Sequence, residues 1–78
     1  MEIRVLQYFM AVARHENITK AAEELHLTQP TLSRQLSDLE DELGICFFER
    51  HNRGVDFTEE GKEFLNYAQL LLAQKQHV

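Results

Sequence analysis

The chain has 78 residues, 44% of them hydrophobic, which is enough for one small globular domain with a modest core. Thirteen acidic residues outweigh eight lysines and arginines, and the net charge of −5 is unusual for a protein that binds nucleic acid. No apolar run approaches the roughly 20 residues of a membrane helix, the start lacks the features of a signal peptide, and the single cysteine excludes an internal disulfide, so the composition predicts a cytoplasmic protein.

The first two predicted helices follow from the spacing of apolar residues. Residues Ile3 to Arg14 carry apolar side chains at helical intervals, which predicts an amphipathic helix with one face on the core. That face consists of Ile3, Leu6, Phe9, Met10 and Ala13. A shorter helix is predicted from about Ile18 to Leu25, with either Asn17 or Thr19 as its N-cap. Two adjacent alanines within it indicate a close helix crossing.

A third helix is predicted from the N-cap Thr28 to about Leu43, with Pro30 in its first turn and Gly44 as its C-terminal cap. Its buried face is expected to hold Leu32, Leu36, Leu39 and Leu43, and its outer face Pro30, Arg34, Ser37 and Asp41. Only a short break separates this helix from the second one. Two helices joined in this way form a helix-turn-helix, here at about residues 18–37, whose second helix can enter a DNA major groove.

The chain after the third helix has the pattern of short strands. Residues 45–48 are apolar, residues 51–54 form a turn cluster, and residues 55–57 alternate, which predicts a small β-hairpin at about residues 45–57. This hairpin is the wing of a winged helix. A lone hairpin is unstable in water, so Phe47, Phe48 and Phe57 are expected to pack on the helices. Cys46, in the same apolar run, is expected to be a small core residue.

A last helix is predicted to follow the N-cap Thr58 and to continue to the end of the chain, and we expect the natural protein to continue beyond it. Glu59 and Glu60 lie in the first turn, where the helix dipole favours acids. Its apolar stripe consists of Phe64, Tyr67, Ala68 and Leu71, widened by Leu65, Leu70 and Leu72. This surface is too large for a free terminal helix on a small monomer, so it predicts a homodimer through residues of about 59–78.

Short sequence motifs occur along nearly the whole chain. They are Leu6-Gln7-Tyr8-Phe9, Thr19-Lys20-Ala21-Ala22, Glu24-Leu25, Thr28-Gln29-Pro30-Thr31-Leu32-Ser33-Arg34-Gln35, Leu39-Glu40, Leu43-Gly44, Phe48-Glu49-Arg50, Arg53 and Thr58-Glu59-Glu60-Gly61. In this order and spacing they resemble the N-terminal DNA-binding domain of the LysR-type transcriptional regulators. Cys46 departs from the family, which often has a basic or other polar residue there, and the missing charge can weaken a contact with the DNA backbone.

The resemblance implies a mainly α fold in two parts. Residues 1–58 would form a winged helix-turn-helix of three helices and a small β-hairpin wing, and residues 59–78 a long linker helix that pairs with its counterpart in a dimer. The family also implies an effector-binding domain, absent from this chain, that takes a small-molecule effector. Within this chain no cofactor is expected. The full-length protein can assemble further into a tetramer.

The charge distribution places the predicted DNA contacts in two patches. Residues 25–37 and 50–55 contain no acid, whereas acids gather at residues 38–42 and 59–63. Salt screens interactions between charges that are more than about 8–10 Å apart. These two neutral-to-basic patches can therefore contact DNA although the protein as a whole is acidic. The predicted DNA-binding residues are Thr19, Lys20, Thr28, Gln29, Pro30, Thr31, Ser33, Arg34, Arg50 and Arg53.

Several of these residues can also be explained without a contact to DNA. Gln29 suits an adenine edge and Arg34 a guanine or a phosphate, but an arginine on a helix face is often only solvated. Ser33 can serve as a helix-start residue facing solvent. Arg50 can contact phosphate or pair with an acid of the body. Arg53 can enter a minor groove, where the negative potential attracts a guanidinium, or remain a solvated hairpin residue.

The sequence therefore predicts a sequence-specific, double-stranded DNA-binding domain of a transcriptional regulator that works as a dimer on an operator. The predicted dimerisation residues are Phe64, Tyr67, Ala68, Leu71 and Leu72. The alternative is a winged-helix protein–protein interaction module, which the net charge favours. No membrane partner is predicted. Nothing supports an enzyme, and His15, His26, His51 and His77 have no metal-ligand spacing with one another or with Cys46.

Overall fold

The computed structural model describes residues 2–76, with side chains through residue 73. These residues form four helices and one two-stranded antiparallel hairpin. The elements in chain order are α1 (Ile3–His15), α2 (Ile18–Leu25), α3 (Gln29–Leu43), β1 (Phe48–His51), β2 (Gly54–Phe57) and α4 (Glu59–Gln76). The predicted winged helix-turn-helix with a long following helix is confirmed. Within the described range, none of the helices is long and apolar enough to cross a membrane.

The helix boundaries are fixed by side-chain and backbone caps. Asn17 is the N-cap of α2, because its side-chain oxygen accepts the Lys20 N–H at 2.9 Å, and Thr19 lies inside the helix. Thr28 is the N-cap of α3, as predicted, and its hydroxyl accepts the Thr31 N–H at 3.3 Å. Gly44 ends α3 in the left-handed conformation, with φ of 72°. The tight connections around α2 therefore follow from local hydrogen bonds.

Helix α1 is buried over a wider surface than its predicted stripe. Leu6 and Phe9 are fully buried as expected, but the core also includes Val5, Ala11 and Val12. Helix α1 contacts α2, α3 and α4, so apolar residues on more than one side are covered. The prediction for α3 holds for Leu32, Leu36 and Leu39. It is wrong for Leu43, which is 37% exposed in the last turn, beyond the part of α3 that packs on the core.

Phe9 is the centre of a cluster of aromatic rings that joins α1 to the second half of the chain. Its ring centroid lies 4.9 Å from Phe47, 5.4 Å from Phe48, 6.0 Å from Phe57 and 5.1 Å from Phe64. These distances are within the range of favourable aromatic pairs. The predicted packing of the wing phenylalanines on the helices is confirmed. The hairpin and α4 are thus held by one shared ring of α1.

The segment before the wing is not a strand, although its apolar run was predicted to be one. β1 begins only at Phe48. The backbone groups of Phe47 form hydrogen bonds outside the hairpin. Its N–H donates to the Glu40 carboxylate at 2.6 Å, and its carbonyl accepts the Thr58 N–H at 2.9 Å. Cys46 is exposed, so the prediction of a core residue is also wrong. Its thiol donates to the Phe48 carbonyl at 3.3 Å while Phe47 occupies the core.

The start of α4 is locked onto the Phe47 backbone. Thr58 is the predicted cap, since its hydroxyl accepts the Gly61 N–H at 2.9 Å and also donates to the Cys46 carbonyl at 2.5 Å. A Cβ atom on Gly61 would lie 2.1 Å from the Phe47 carbonyl oxygen, which is far inside contact distance. Only glycine permits this approach, so the direction of α4 depends on that residue.

The wing is held against the turn between α1 and α2. The Val55 N–H donates to the Glu16 carbonyl at 3.1 Å, and Val55 itself is buried. Gly54, the neighbouring residue, has φ of 143°, and a Cβ atom there would lie 2.2 Å from the same carbonyl oxygen. Gly54 is therefore required both for its backbone conformation and for the close approach of the wing to the helices.

A prediction follows from the two glycines with positive φ. Gly54→Ala should destabilise the protein by more than about 2 kcal/mol, because it adds a clash with backbone to a strained conformation. Gly44→Ala is the matched control, since its φ is 72° but nothing lies within 4 Å of the added Cβ atom. That variant should cost only about 1–2 kcal/mol. Denaturant unfolding of both variants measures the difference, and equal losses would contradict the docking of the wing at Glu16.

A surface cluster links the end of α1 to the end of α2. The Glu24 carboxylate accepts hydrogen bonds from the Arg14 guanidinium and from His15, the latter at 2.7 Å. The hydrogen bond from Arg14, followed by that from His15, lowers the pKa of Glu24 below its ordinary 4.5. The ionised carboxylate is therefore the form that the folded state favours.

This pKa shift predicts a pH dependence of stability. A lowered folded-state pKa stabilises the fold above the unfolded value, and this contribution is lost as the pH falls through the folded value. The loss of stability on replacing Glu24 by Gln should be largest near neutral pH and should shrink below the ordinary pKa of 4.5. Thermal unfolding against pH measures it, with Glu23→Gln, a neighbouring exposed carboxyl, as the control. A loss independent of pH would contradict the prediction.

Candidate nucleic-acid interface

Three of the predicted contact residues lie together where the starts of α2 and α3 meet the wing. A shallow depression of about 210 Å³ marks this junction. It is lined by Asn17, Ile18, Thr19, Gln29, Arg50, His51, Asn52, Gly54 and Val55. Three separate stretches of sequence thus form one surface, and three predicted contact residues, Thr19, Gln29 and Arg50, share it.

The first two turns of α3 present a polar face to solvent. Thr28, Gln29, Pro30 and Arg34 are exposed, while Thr31 and Ser33 are half-buried on the flanks. This follows from the burial of Leu32 and Leu36 on the other side of the helix. Of the side chains predicted on the outer face of α3, Pro30, Arg34 and Asp41 are exposed, whereas Ser37 is half-buried.

Hydrogen bonds among the hydroxyl groups determine which of them can donate. Thr28 Oγ1 donates to Thr31 Oγ1 at 2.8 Å, and Arg50 donates to Ser33 Oγ at 2.7 Å. Thr31 and Ser33 each accept from within the protein, so each retains its own O–H proton. Both are thus equipped to donate to a phosphate oxygen or to an acceptor on a base edge.

Arg50 connects the wing to α3. The sequence is compatible with a phosphate contact or an ion pair with an acid, and the structure shows a third arrangement, the hydrogen bond to Ser33. Arg50 lies opposite Val55 in the hairpin and is exposed. A guanidinium has five N–H donors, so the contact with Ser33 leaves others for a ligand. The distance between the wing and α3 is constrained by this bond.

Arg53 lies at the tip of the wing. The hairpin register pairs His51 with Gly54, and Asn52 and Arg53 form the turn between them. Arg53 is exposed, as its place in the turn predicted. His51 is a residue that the sequence analysis did not select for the site. Its ring contacts both Arg53 and Asp56, a neighbourhood that only the hairpin register reveals.

The acidic end of α3 is separate from this surface. Asp38 and Glu42 line a different depression, beside Glu2 and Val5 at the start of α1. At 1.5 Å per residue, Gln29 and Asp38 are about 13 Å apart along the helix, which exceeds the screening length of about 8–10 Å. The net charge of −5 therefore does not describe the charge around the start of α3.

The chemistry of the described side chains adds no metal site. In the range 2–73, no group of three or more histidine, cysteine, aspartate or glutamate side chains could hold a metal ion. His15 contacts Glu24, and His51 contacts Asp56. His77 lies outside the described residues.

The predicted dimerisation residues fall into two groups. Phe64 and Ala68 are 8% and 0% exposed within the chain itself, so they belong to its core and cannot form an interface. Their stripe faces α1 and the aromatic cluster. Leu71 and Leu72 are half-buried against the core, whereas Tyr67 is 51% exposed. Leu70 is 65% exposed, although the sequence pattern places it only beside the predicted apolar stripe.

Comparisons with known proteins agree with this geometry. The sequence model of the bacterial regulatory helix-turn-helix protein, lysR family, matches residues 3–62. The HTH-type transcriptional regulator BenM of Acinetobacter baylyi is 51% identical over 73 residues, which are 94% of this chain and 24% of that protein. The RuBisCO operon transcriptional regulator of Allochromatium vinosum is 48% identical over 71 residues, 91% of this chain and 24% of that protein. The chain thus spans about a quarter of the length of the curated relatives it matches.

The structural comparison extends to a complex with DNA. The crystal structure of the CbnR DNA-binding domain in complex with DNA matches with a TM-score of 0.93 at 42% sequence identity. The match covers 97% of this chain and 87% of that one. Helices, wing and α4 thus have the arrangement found in a protein crystallised on DNA.

Proposed function

The chain belongs to the lysR family of bacterial regulatory helix-turn-helix proteins, and on this premise we propose that it binds double-stranded DNA sequence-specifically as the DNA-binding part of a transcriptional regulator. The observation that carries the proposal is the exposed polar face at the start of α3, adjoining the wing. A helix of this kind fits a major groove, where base pairs present distinct donors and acceptors.

Base recognition is assigned to the exposed face of α3. Gln29 can accept from and donate to the N6/N7 edge of adenine, and the N–H groups of both outer nitrogens of Arg34 can donate to the O6/N7 edge of guanine. The ring of Pro30 can contact a thymine methyl group. Thr31 and Ser33, which retain their hydroxyl protons, donate to phosphate or to a base acceptor. These side chains select the sequence.

Contacts with the DNA backbone are assigned to residues on both sides of α3, and they set the position of this helix along the duplex. Thr19 and Lys20 are exposed at the start of α2, where a hydroxyl group, an ammonium group and the helix dipole favour a phosphate. On the other side, Arg53 extends from the wing tip toward the minor groove or its phosphates. Because Arg50 bonds to Ser33, the wing and α3 approach the duplex as one unit.

Association through α4 completes the proposed binding unit. Tyr67 and Leu70 leave apolar surface in water that a second copy can cover, with the accessible parts of Leu71 and Leu72 beside them. Two copies would present two α3 helices to major grooves one helical turn, about 34–36 Å, or a multiple of it apart. The operator is then an imperfect palindrome. Further assembly of the full-length protein and the binding of a small-molecule effector are assigned to residues outside this chain.

The first test concerns base recognition by α3. On an operator selected from a random duplex pool, Arg34→Ala should lose about 1–3 kcal/mol of specific binding, with little effect on random duplex. Asp41→Asn is the control, because Asp41 is exposed on the same side of α3 but at its acidic end. It should leave specific binding nearly unchanged. Unaltered operator affinity in Arg34→Ala would show that α3 does not enter the major groove in this way.

The second test concerns the wing. Arg53→Ala should weaken operator and random duplex to a similar degree, and it should flatten the slope of log affinity against log salt by about one unit for one lost phosphate contact. Arg4→Ala removes the same charge at an exposed position paired with Glu2, away from the interface, and is the control. If both variants keep the wild-type slope, the wing does not contact the duplex.

The third test concerns association. Leu70→Lys should shift a dimer toward monomer in sedimentation velocity while the fold of each chain is kept, because Leu70 is 65% exposed within the chain. Position 70 is preferred to 71, where a charge would also disturb the core. Gln69→Lys adds the same charge at the neighbouring exposed residue and should leave the dimer intact. A wild-type chain that stays monomeric at high concentration would refute the proposed interface.

A further inference from the structure

The two faces of the wing differ in their surroundings. Phe48, Val55 and Phe57 pack on the body, and Arg50, on the same face, bonds to Ser33. Side chains alternate along a strand, so the outer face carries Glu49, His51 and Asp56. Among these, His51 is the last residue before the turn that bears Arg53.

We propose that His51 is a positioning residue for DNA binding: its imidazole holds the backbone of the wing turn and thereby directs Arg53 toward the duplex. The proposal rests on the proposed function for the role of Arg53. The observation that carries it is a pair of contacts on one ring. His51 Nδ1 accepts the Arg53 backbone N–H at 3.2 Å, and His51 Nε2 lies 3.2 Å from Asp56 Oδ2.

These contacts define one form of the ring. In these contacts Nδ1 is the acceptor of the backbone N–H, and Nε2 is the nitrogen that faces the carboxylate as a donor. Nε2–H then donates to the Asp56 carboxylate, which fixes the ring orientation. The imidazole thus bridges the turn and the opposite strand, and it joins Arg53 to Asp56 across the end of the hairpin.

The backbone conformation of the turn at Asn52 and Arg53 explains why the hydrogen bond to His51 is needed. The common two-residue hairpin turns match the strand twist by using positive φ, at both central residues in one type and at the first in the other. Among the described residues, the non-glycine positions with positive φ are Glu16 and His26, so Asn52 and Arg53 have neither arrangement. Gly54 takes the unusual φ of 143° instead. The bond from Arg53 to His51 is an additional constraint on a turn that is neither of these two common types.

The geometry resembles one that asparagine supplies. An asparagine side-chain oxygen commonly accepts the N–H two residues on and closes a turn of its own. His51 Nδ1 has the same relation to the Arg53 N–H. His51→Asn should therefore preserve the turn although it removes the imidazole and its contact with Asp56. His51→Ala removes the acceptor of the Arg53 N–H and should increase the mobility of the turn.

The experiment measures duplex affinity for wild type, His51→Ala, His51→Asn, Arg53→Ala and the double variant with Ala at both positions. His51→Ala should bind about 2- to 10-fold more weakly, the effect of losing one hydrogen bond. His51→Asn should restore most of the affinity. In the Arg53→Ala background, His51→Ala should cause no further loss, because a residue that acts through Arg53 has nothing left to position.

A measurement without DNA accompanies these affinities. Amide hydrogen exchange at Arg53 should be faster in His51→Ala than in wild type and nearly unchanged in His51→Asn, while thermal stability stays the same. Losses that add in the double variant would overturn the proposal, since His51 would then act independently of Arg53. Equal weakness of His51→Asn and His51→Ala would overturn it as well. A wild-type chain that binds no duplex, with the expected exchange pattern intact, would refute the proposed function and leave His51 as a holder of the turn alone.

Discussion

The arrangement of the DNA-facing elements depends on the burial of one ring, that of Phe9. It is fully buried in α1 and packs against rings from the segment before the wing, from both strands and from α4. A two-stranded hairpin has little stability of its own in water, and burial of aromatic rings is a large source of free energy in a small core. The wing is therefore an extension of the helical core, and its position relative to α3 is set by that packing.

Backbone contacts add direction to this packing. Gly54 lies against the Glu16 carbonyl and Gly61 against the Phe47 carbonyl, and in each case a Cβ atom would collide with backbone. The first contact fixes the wing beside the start of α2, and the second fixes the direction in which α4 leaves the domain. The bond from Arg50 to Ser33 then ties the wing to α3. The side chains proposed to read bases and to contact the DNA backbone are thus held on one frame of packed helices and wing, and such preorganisation reduces the entropy lost on binding.

Much of this was predictable because local rules determine it. Caps such as Thr28 and Thr58, and the face of α3 that carries Arg34, follow from residue type and helical spacing. Contacts between distant segments do not follow from such rules. The exposure of Cys46, the burial of Phe64 and Ala68 in the chain's own core, and the contacts of His51 depend on which surfaces meet after folding. For the same reason, the bond from Arg50 to Ser33 does not follow from the sequence pattern.

The central claim is that an acidic chain binds DNA through one locally favourable face. Chemical-shift mapping of the isotope-labelled chain, titrated with its selected operator duplex, tests it most directly. The largest backbone shifts are expected at Thr19, Lys20, residues 28–34 and residues 50–53, with small changes at residues 38–42 and 59–63. Shifts centred on the acidic end of α3, or none at the wing and the start of α3, would contradict it.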